Sequence, residues 1–219
     1  MQTDEIFDTD DPDVVTKIQD IVNAERDNLL DYRQKKQMVS ELKMIYKMPM
    51  NLREHFGLFS EYVDMITGQW VEPEHKWGGK KPRIAVFVDD AQSTAIFRNR
   101  RFLNLVTRHR HLGSFPGDEA SIGISMFIAV QSYTATGGGL PKSIRGNATH
   151  MALWATKNMN ELNLIATEFA GEVSPDQFKE MYQYVMKDGT PHTFMFIDLH
   201  KKETHPSMFR RDYLDFVVI

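Results

Sequence analysis

Two adjacent carboxylates, Asp89 and Asp90, close the apolar run Ile84-Ala85-Val86-Phe87-Val88 that follows Arg83. Paired acids placed directly after such a run can divide labour. One holds a divalent cation such as Mg²⁺, and the other polarises a water that attacks a phosphoryl group. This chemistry needs a strand that ends where a ligand sits. The unbroken β-branched and aromatic run predicts a strand buried on both faces, the central strand of a parallel sheet. Ligands of such sheets lie beyond the carboxyl ends of the strands. The plainer reading is a buried strand whose closing turn happens to be acidic.

A second run, Ile122-Gly-Ile-Ser-Met-Phe-Ile-Ala-Val-Gln131-Ser132, predicts another buried strand, and this one ends on an amide. A glutamine there, beside the acidic strand, orients an attacking water or senses a γ-phosphate; otherwise it only caps the strand. Between the two runs, Ser93 to His111 is predicted to be helical, with Phe102, Leu103, Leu105 and Val106 as its apolar face. The same segment carries Arg98, Arg100, Arg101, Arg108 and Arg110. These arginines are either a charged face or the source of an arginine that reaches a neighbouring subunit's γ-phosphate.

Several further elements must position these groups. Residues 11 to 47 predict a helix capped by Asp10 or Asp11, with Pro12 in its first turn and Met48-Pro49-Met50 at its end. Its apolar stripe runs through Val14, Ile18, Ile21, Val22, Leu29 and Tyr32, then Met38, Leu42 and Ile45. Arg33, Lys35 and Lys36 interrupt the stripe and predict a bend or break; as a cluster they read as a solvated face more readily than as a DNA or subunit contact. A short helix is expected over 60–66 and a Gly- and Pro-rich linker over 70–82. Beyond the second strand come a short helix from Pro141 to Asn147 and a strand from Ala148 to Thr156. Helices are expected from Asn160 to Ala170 and from Ser174 to Lys187, with Ser174 as N-cap and Gly189 past the end. Strands from Thr193 to Leu199 and from Tyr213 to Ile219 complete the pattern.

Two segments imitate a phosphate-binding loop and fail. Gly78-Gly79-Lys80 lacks the leading glycine and the hydroxyl residue after lysine, and it precedes a strand. In Thr136-Gly137-Gly138-Gly139-Leu140-Pro141-Lys142-Ser143, proline replaces the glycine needed before Lys-Ser, so the backbone lacks a required N–H. No Gly-x-x-x-x-Gly-Lys-Ser/Thr occurs in the 219 residues.

Composition bounds the rest. At 42 % hydrophobic the chain can bury one sizeable core. A net charge of -4 and a pI of about 6.1 exclude a global nucleic-acid footprint, so any DNA contact falls to local basic patches. The absence of cysteine excludes disulfides and thiolate metal sites. The eight histidines, His109, His111, His192, His200 and His205 among them, lack the compact spacing of a zinc site. No apolar run is long enough to span a membrane, and the acidic start MQTDEIFDTDD is neither a secretory signal nor a transit peptide.

In order, the chain carries Ile84-Ala-Val-Phe-Val-Asp89-Asp90, then Arg108-His109-Arg110-His111, then Ser125-Met-Phe-Ile-Ala-Val-Gln131-Ser132-Tyr133. Last comes Leu140-Pro141-Lys-Ser-Ile144-Arg145-Gly146-Asn147. This succession resembles the FtsK/HerA-type genome-packaging ATPases of large nucleocytoplasmic DNA viruses, the poxvirus A32-like branch, over about residues 84 to 219. The resemblance implies an α/β fold, a mostly parallel central sheet flanked by helices as in P-loop NTPases with a RecA/FtsK-like core, incomplete at its N-terminus. Residues 1–82 would be a helical segment and linker before the Walker B strand, and 83–219 the C-terminal part of the ATPase core. It implies that Asp89 helps hold Mg²⁺ and that Asp90 acts on the hydrolytic water. Gln131 would be the sensor that contacts ATP, and Arg110 or Arg108 the finger offered to the next subunit. Arg145 and Asn147 match a family element near the nucleotide and the subunit junction. The loop after Arg110-His111 is longer than the family pattern. The phosphate loop, expected before the 11–47 helix, is missing.

The chain therefore reads as the C-terminal two-thirds of a packaging motor, which as a complete protein couples ATP hydrolysis to translocation of double-stranded DNA into a capsid. The implied partners are duplex DNA, further copies in a homo-oligomeric ring (a hexamer or similar) and capsid or portal-region proteins. The implied place is the host cytoplasm at the assembly site, or the virion. Alone, these residues are expected not to hydrolyse ATP. Two other readings stand: a cellular FtsK/HerA-like DNA translocase, and a non-hydrolysing ring subunit. Candidate DNA contacts are the 136–145 loop with Lys142, and Lys201-Lys202.

Overall fold

The computed structural model describes residues 5–45, 62–64, 69–92, 94–134, 139–171, 173–187 and 189–218. The expected helix end at Met48-Pro49-Met50 lies outside these residues, as do residues 136–138 of the Gly-rich loop. Of the helix expected over 60–66 only 62–64 are described, and there Val63 forms an antiparallel bridge with Trp70. The chain folds as two compact units, Met1–Val88 with Arg108–Ile128, and Asp89–Thr107 with Ala129–Ile219. Residue 83, where the sequence places the start of the ATPase core, falls inside the first unit.

The first unit is built on α1 (Val14–Ile45). Asp11 starts it: Oδ1 accepts the N–H of Asp13 at 2.8 Å, and Oδ2 pairs with Lys17 at 2.5 Å. Val14, Val15, Ile18, Val22, Leu29, Val39 and Leu42 are buried. In the C-terminal half Val39, not the expected Met38, faces inward, because steps of three and four from Leu29 reach 32, 36 and 39. The helix runs unbroken through Arg33, Lys35 and Lys36, against the expected bend. Arg33 lies over the Phe115 ring at 5.1 Å and Lys35 pairs with Asp31, so these charges are accommodated without a backbone interruption.

The expected linker is instead pinned to α1. Trp77 Nε1 donates to Glu25 Oε2 at 2.8 Å, and Lys76 pairs with Glu25. His75 Nδ1 accepts the N–H groups of Trp77 and Gly79. Gly79 has φ +74° and approaches Tyr32 so closely that a Cβ would lie 2.5 Å from the ring, which is the structural use of this glycine.

β1 (Ile84–Val88) pairs in parallel with β2 (Ile124–Ile128), Ile84 opposite Ile124 and Val88 opposite Ile128. The expectation of burial on both faces is corrected. Among the described residues β1 has one strand neighbour, and alternate positions face outward. Phe87 is 73 % exposed and stacks on Phe127 with ring centroids 4.7 Å apart. Val88 and Ile124, on the other face, are buried.

The second unit contains α2 (Arg100–Arg108) as far as Thr107, α3 (Lys142–Arg145), α4 (Met159–Phe169) and α5 (Pro175–Lys187). The helix expected over 93–111 is three pieces, because Ala95–Arg98 and His109–His111 wind as 3₁₀ turns on either side of α2. A four-stranded antiparallel sheet runs β3 (His150–Trp154), β4 (Phe194–Asp198), β5 (Phe209–Arg211), β6 (Asp215–Phe216) in that spatial order. Leu162, Ile165, Phe169, Phe178, Val185, Met195, Ile197 and Phe209 form its core with α4 and α5. Ser174 and Gln177 make a reciprocal capping box at the start of α5, Ser174 Oγ accepting from Gln177 N and Gln177 Oε1 accepting from Ser174 N.

The fold is thus mixed α/β, but the expected mostly parallel sheet is replaced by a parallel pair and a larger antiparallel sheet. Two helices, not one, separate β3 from β4, which returns the chain to the end from which β4 runs back along β3. Short connections then force β4, β5 and β6 to alternate. β5 was not expected, because two of its three residues are arginines.

Candidate active site

The β1–β2 register pairs residues forty positions apart, so the segments leaving the two strands are committed to meet. Two residues beyond Val88 stands Asp90, and three beyond Ile128 stands Gln131. Gln131 Nε2 donates to Asp90 Oδ1 at 3.0 Å. Both residues are exposed. Asp90 has φ +50°, a left-handed conformation that costs most L-residues about 1 kcal/mol and that aspartate tolerates better than most. The turn behind it is closed by Thr94, whose N–H and hydroxyl both donate to the Ala91 carbonyl, at 3.1 and 2.8 Å. Ala91 itself is fully buried.

Gln92 ties this turn to the segment after β2. Its Oε1 accepts the N–H of Gln131 at 2.9 Å and of Ser132 at 3.0 Å, while Nε2 donates to the Ser132 carbonyl at 3.3 Å. From the other side α4 takes hold. Glu161 Oε1 accepts from the Ser132 hydroxyl and from Thr134 N, the latter at 3.1 Å. Burial pushes the Glu161 carboxyl up, but hydrogen bonds from Ser132, Thr134 and Tyr133 outweigh it and hold the group below its ordinary value. Asn158 caps α4 by accepting the N–H of Glu161.

Seven residues further along α4, Glu168 accepts from the Tyr133 hydroxyl and pairs with Arg145 at 3.1 Å. The Arg145 guanidinium lies 4.6 Å over the Tyr133 ring and donates to the Leu140 carbonyl. Burial, then the bond to Glu168, raises the Tyr133 phenol far above its ordinary value, so it stays a proton donor.

The sequence-selected residues are therefore distributed unevenly. Asp90 and Gln131 meet; Asp89 is exposed next to them in the chain. Arg108 and Arg110 are exposed and belong to the first unit. Arg145 is an internal strut between α3 and α4, and Asn147 Nδ2 donates locally to the Ser143 carbonyl. Lys142 and Lys202 are exposed. Sequence reasoning missed Gln92 and Glu161. The forty-residue register was the available signal for Gln92, whereas nothing local marks Glu161.

A second polar cluster sits in the antiparallel sheet. Buried Asp198 accepts from Arg210 at 2.9 Å and from His200 N at 3.1 Å, with His150 Nε2 at 3.5 Å. Arg210 also contacts His205 Nδ1, and its guanidinium lies against the Phe196 and Phe216 rings. Among the described residues no three metal-ligating side chains converge, and no helix is long and apolar enough to cross a membrane. Comparison with models of protein families, with curated proteins and with solved structures returned no match.

Proposed function

We propose that residues 84–134 are the catalytic limb of an ATPase that moves double-stranded DNA, of the viral genome-packaging kind, working in a homo-oligomeric ring. The observation that carries this reading is the hydrogen bond from Gln131 to Asp90 beyond the carboxyl ends of two parallel strands. Gln131 holds one oxygen of the Asp90 carboxylate and so fixes its plane; the other oxygen accepts a proton of a water placed for in-line attack. The Gln131 amide is then within reach of the same water or of the γ-phosphate oxygens. Asp89 is the group for Mg²⁺, which when bound neutralises charge on the phosphates. Its exposed carboxylate fits that task, since nucleotide-bound Mg²⁺ takes only one or two protein carboxylates and needs no larger acidic cluster. Arg108 or Arg110 is the finger for a neighbouring subunit, Lys142 and Lys201-Lys202 the candidates for DNA phosphates, and capsid or portal-region proteins the docking partners. The phosphates would be cradled by residues outside these 219.

ATP turnover is the test. The 219 residues alone are expected to give none. Supplied with a phosphate loop, from the frame upstream of codon 1 or from a separately encoded partner, they are expected to hydrolyse ATP, and Asp90→Asn to remove that activity. Turnover by the isolated chain would sink the dependence on an external loop, and an active Asp90→Asn protein would sink the role of Asp90. A non-hydrolysing ring subunit is the second reading, favoured by the absent phosphate loop; an upstream region without that loop and no activating partner would select it.

A further inference from the structure

We infer that Gln92 and Glu161 are positioning residues that set where Gln131 presents its amide to Asp90, an inference that rests on the reading of Gln131 as the sensor. Gln131 is exposed, so packing does not place its side chain. Its backbone is placed instead, from two directions. Gln92 accepts the N–H groups of Gln131 and Ser132 with one oxygen and returns a bond to the Ser132 carbonyl, so the amide plane of Gln92 fixes the orientation of that peptide. Glu161 holds Ser132 through its hydroxyl and Thr134 through its N–H. Tyr133, between them, is 6 % exposed, set edge-on against Phe169, and tied to Glu168.

Gln92 is also two residues from Asp90, beyond the buried Ala91 and within the turn that Thr94 closes. The turn that orients the carboxylate is therefore the same one that orients the amide it meets. A loop that only needed stability would gain as much from apolar packing, which is indifferent to the rotation of a peptide plane. Bidentate amide clamping fixes that rotation. Glu161 adds a charge-assisted acceptor, stronger than a neutral one.

The test is a double-substitution cycle read by NMR on the full chain, with Asp90→Asn as the probe of the Asp90–Gln131 bond. In the otherwise unaltered chain, Asp90→Asn is expected to shift the Gln131 side-chain amide resonance. In a Gln92→Met background, similar in size but without the acceptor, that shift is expected to be lost. Amide exchange at Gln131 and Ser132 should rise about tenfold while the β2 amides stay protected. Glu161→Gln, which keeps an acceptor, should preserve the coupling, and Glu161→Ala should weaken it and expose Thr134 N–H. A Gln131 resonance that responds to Asp90→Asn equally in the Gln92→Met chain overturns the positioning role, as does unchanged exchange at 131 and 132. If Gln92→Met does not fold, Gln92→Glu, which keeps the acceptor but not the donor, decides the matter: retained protection at 131 and 132 supports the clamp and lost protection overturns it. None of these spectra depends on ATP turnover, so failure of the ATPase reading registers separately, as no ATP hydrolysis by the chain once a phosphate loop is supplied.

Discussion

Asp90 and Asp198 are both aspartates near strand ends, and they differ in almost every other respect. Asp198 is buried, and its carboxylate is engaged by Arg210 and the His200 N–H, with His150 close by. Its backbone is ordinary strand. Asp90 is exposed, has one side-chain partner, and sits on a left-handed backbone. A left-handed aspartate is not in itself a sign of function: Asp212, φ +55°, answers for its conformation by accepting Phe194 N–H and donating to the Phe194 carbonyl at the turn after β5. Asp90 makes no such return to a neighbouring strand. What its conformation produces is an outward carboxylate against an amide. The cluster around Asp198 is arranged to be satisfied, and that around Asp90 to remain available.

Substitutions can break this contrast or sharpen it. On the proposed ATPase function, Asp90→Asn should cost about 100-fold or more in kcat once a phosphate loop is supplied, with thermal stability nearly unchanged. A large drop in Tm would place Asp90 in the structural class with Asp198. Asp198→Ala should do the opposite, destabilising the fold by about 3 kcal/mol because it strands Arg210 without its carboxylate. A shift in the denaturant midpoint measures it, and a negligible shift would dissolve the distinction.

A smaller effect comes from acid. Glu161 has a folded value below its ordinary 4.5, so the unfolded chain binds the proton more readily. Its stabilisation is complete above the ordinary value and is lost as pH falls through the lowered one. Glu161→Gln should therefore flatten the fall in Tm between about pH 6 and about pH 3; an unchanged slope would mean that this carboxylate carries no linkage. The smallest effect expected is a gain. Asp90→Gly relieves the left-handed backbone and should raise stability by about 0.5 kcal/mol, visible as a slightly higher denaturant midpoint.

The parts of this architecture legible in the sequence are those written in periodicity and punctuation. The α1 stripe, the Ser174 start of α5 and the apolar runs of β1, β2 and β4 all follow from local rules. What stayed hidden was decided by pairing. Two exposed phenylalanines in the β1–β2 pair look like core residues to any reading of hydrophobicity. β5 hides behind two arginines, and the charge of one of them, Arg210, is absorbed by Asp198 and by aromatic rings. At the candidate site, Asp90 and Gln131 announce themselves as polar residues ending apolar runs. Gln92 and Glu161 act through main-chain groups of residues 131 to 134, and Glu161 does so from about thirty residues away in sequence. Arg145, selected beside them, is committed to Glu168 and Tyr133.

The placement of the tryptophans gives the chain an optical property. Trp70 and Trp77 belong to the first unit, and Trp154 alone to the second, half-exposed with its ring 5.1 Å from Phe194. Replacing Trp154 by phenylalanine leaves intrinsic fluorescence that speaks only for the first unit, and replacing the other two leaves a signal from the second. Denaturation curves from these two silent-half proteins would coincide if the units melt together and separate if each holds its own transition. The polypeptide thus carries, in three indoles, its own gauge of cooperativity.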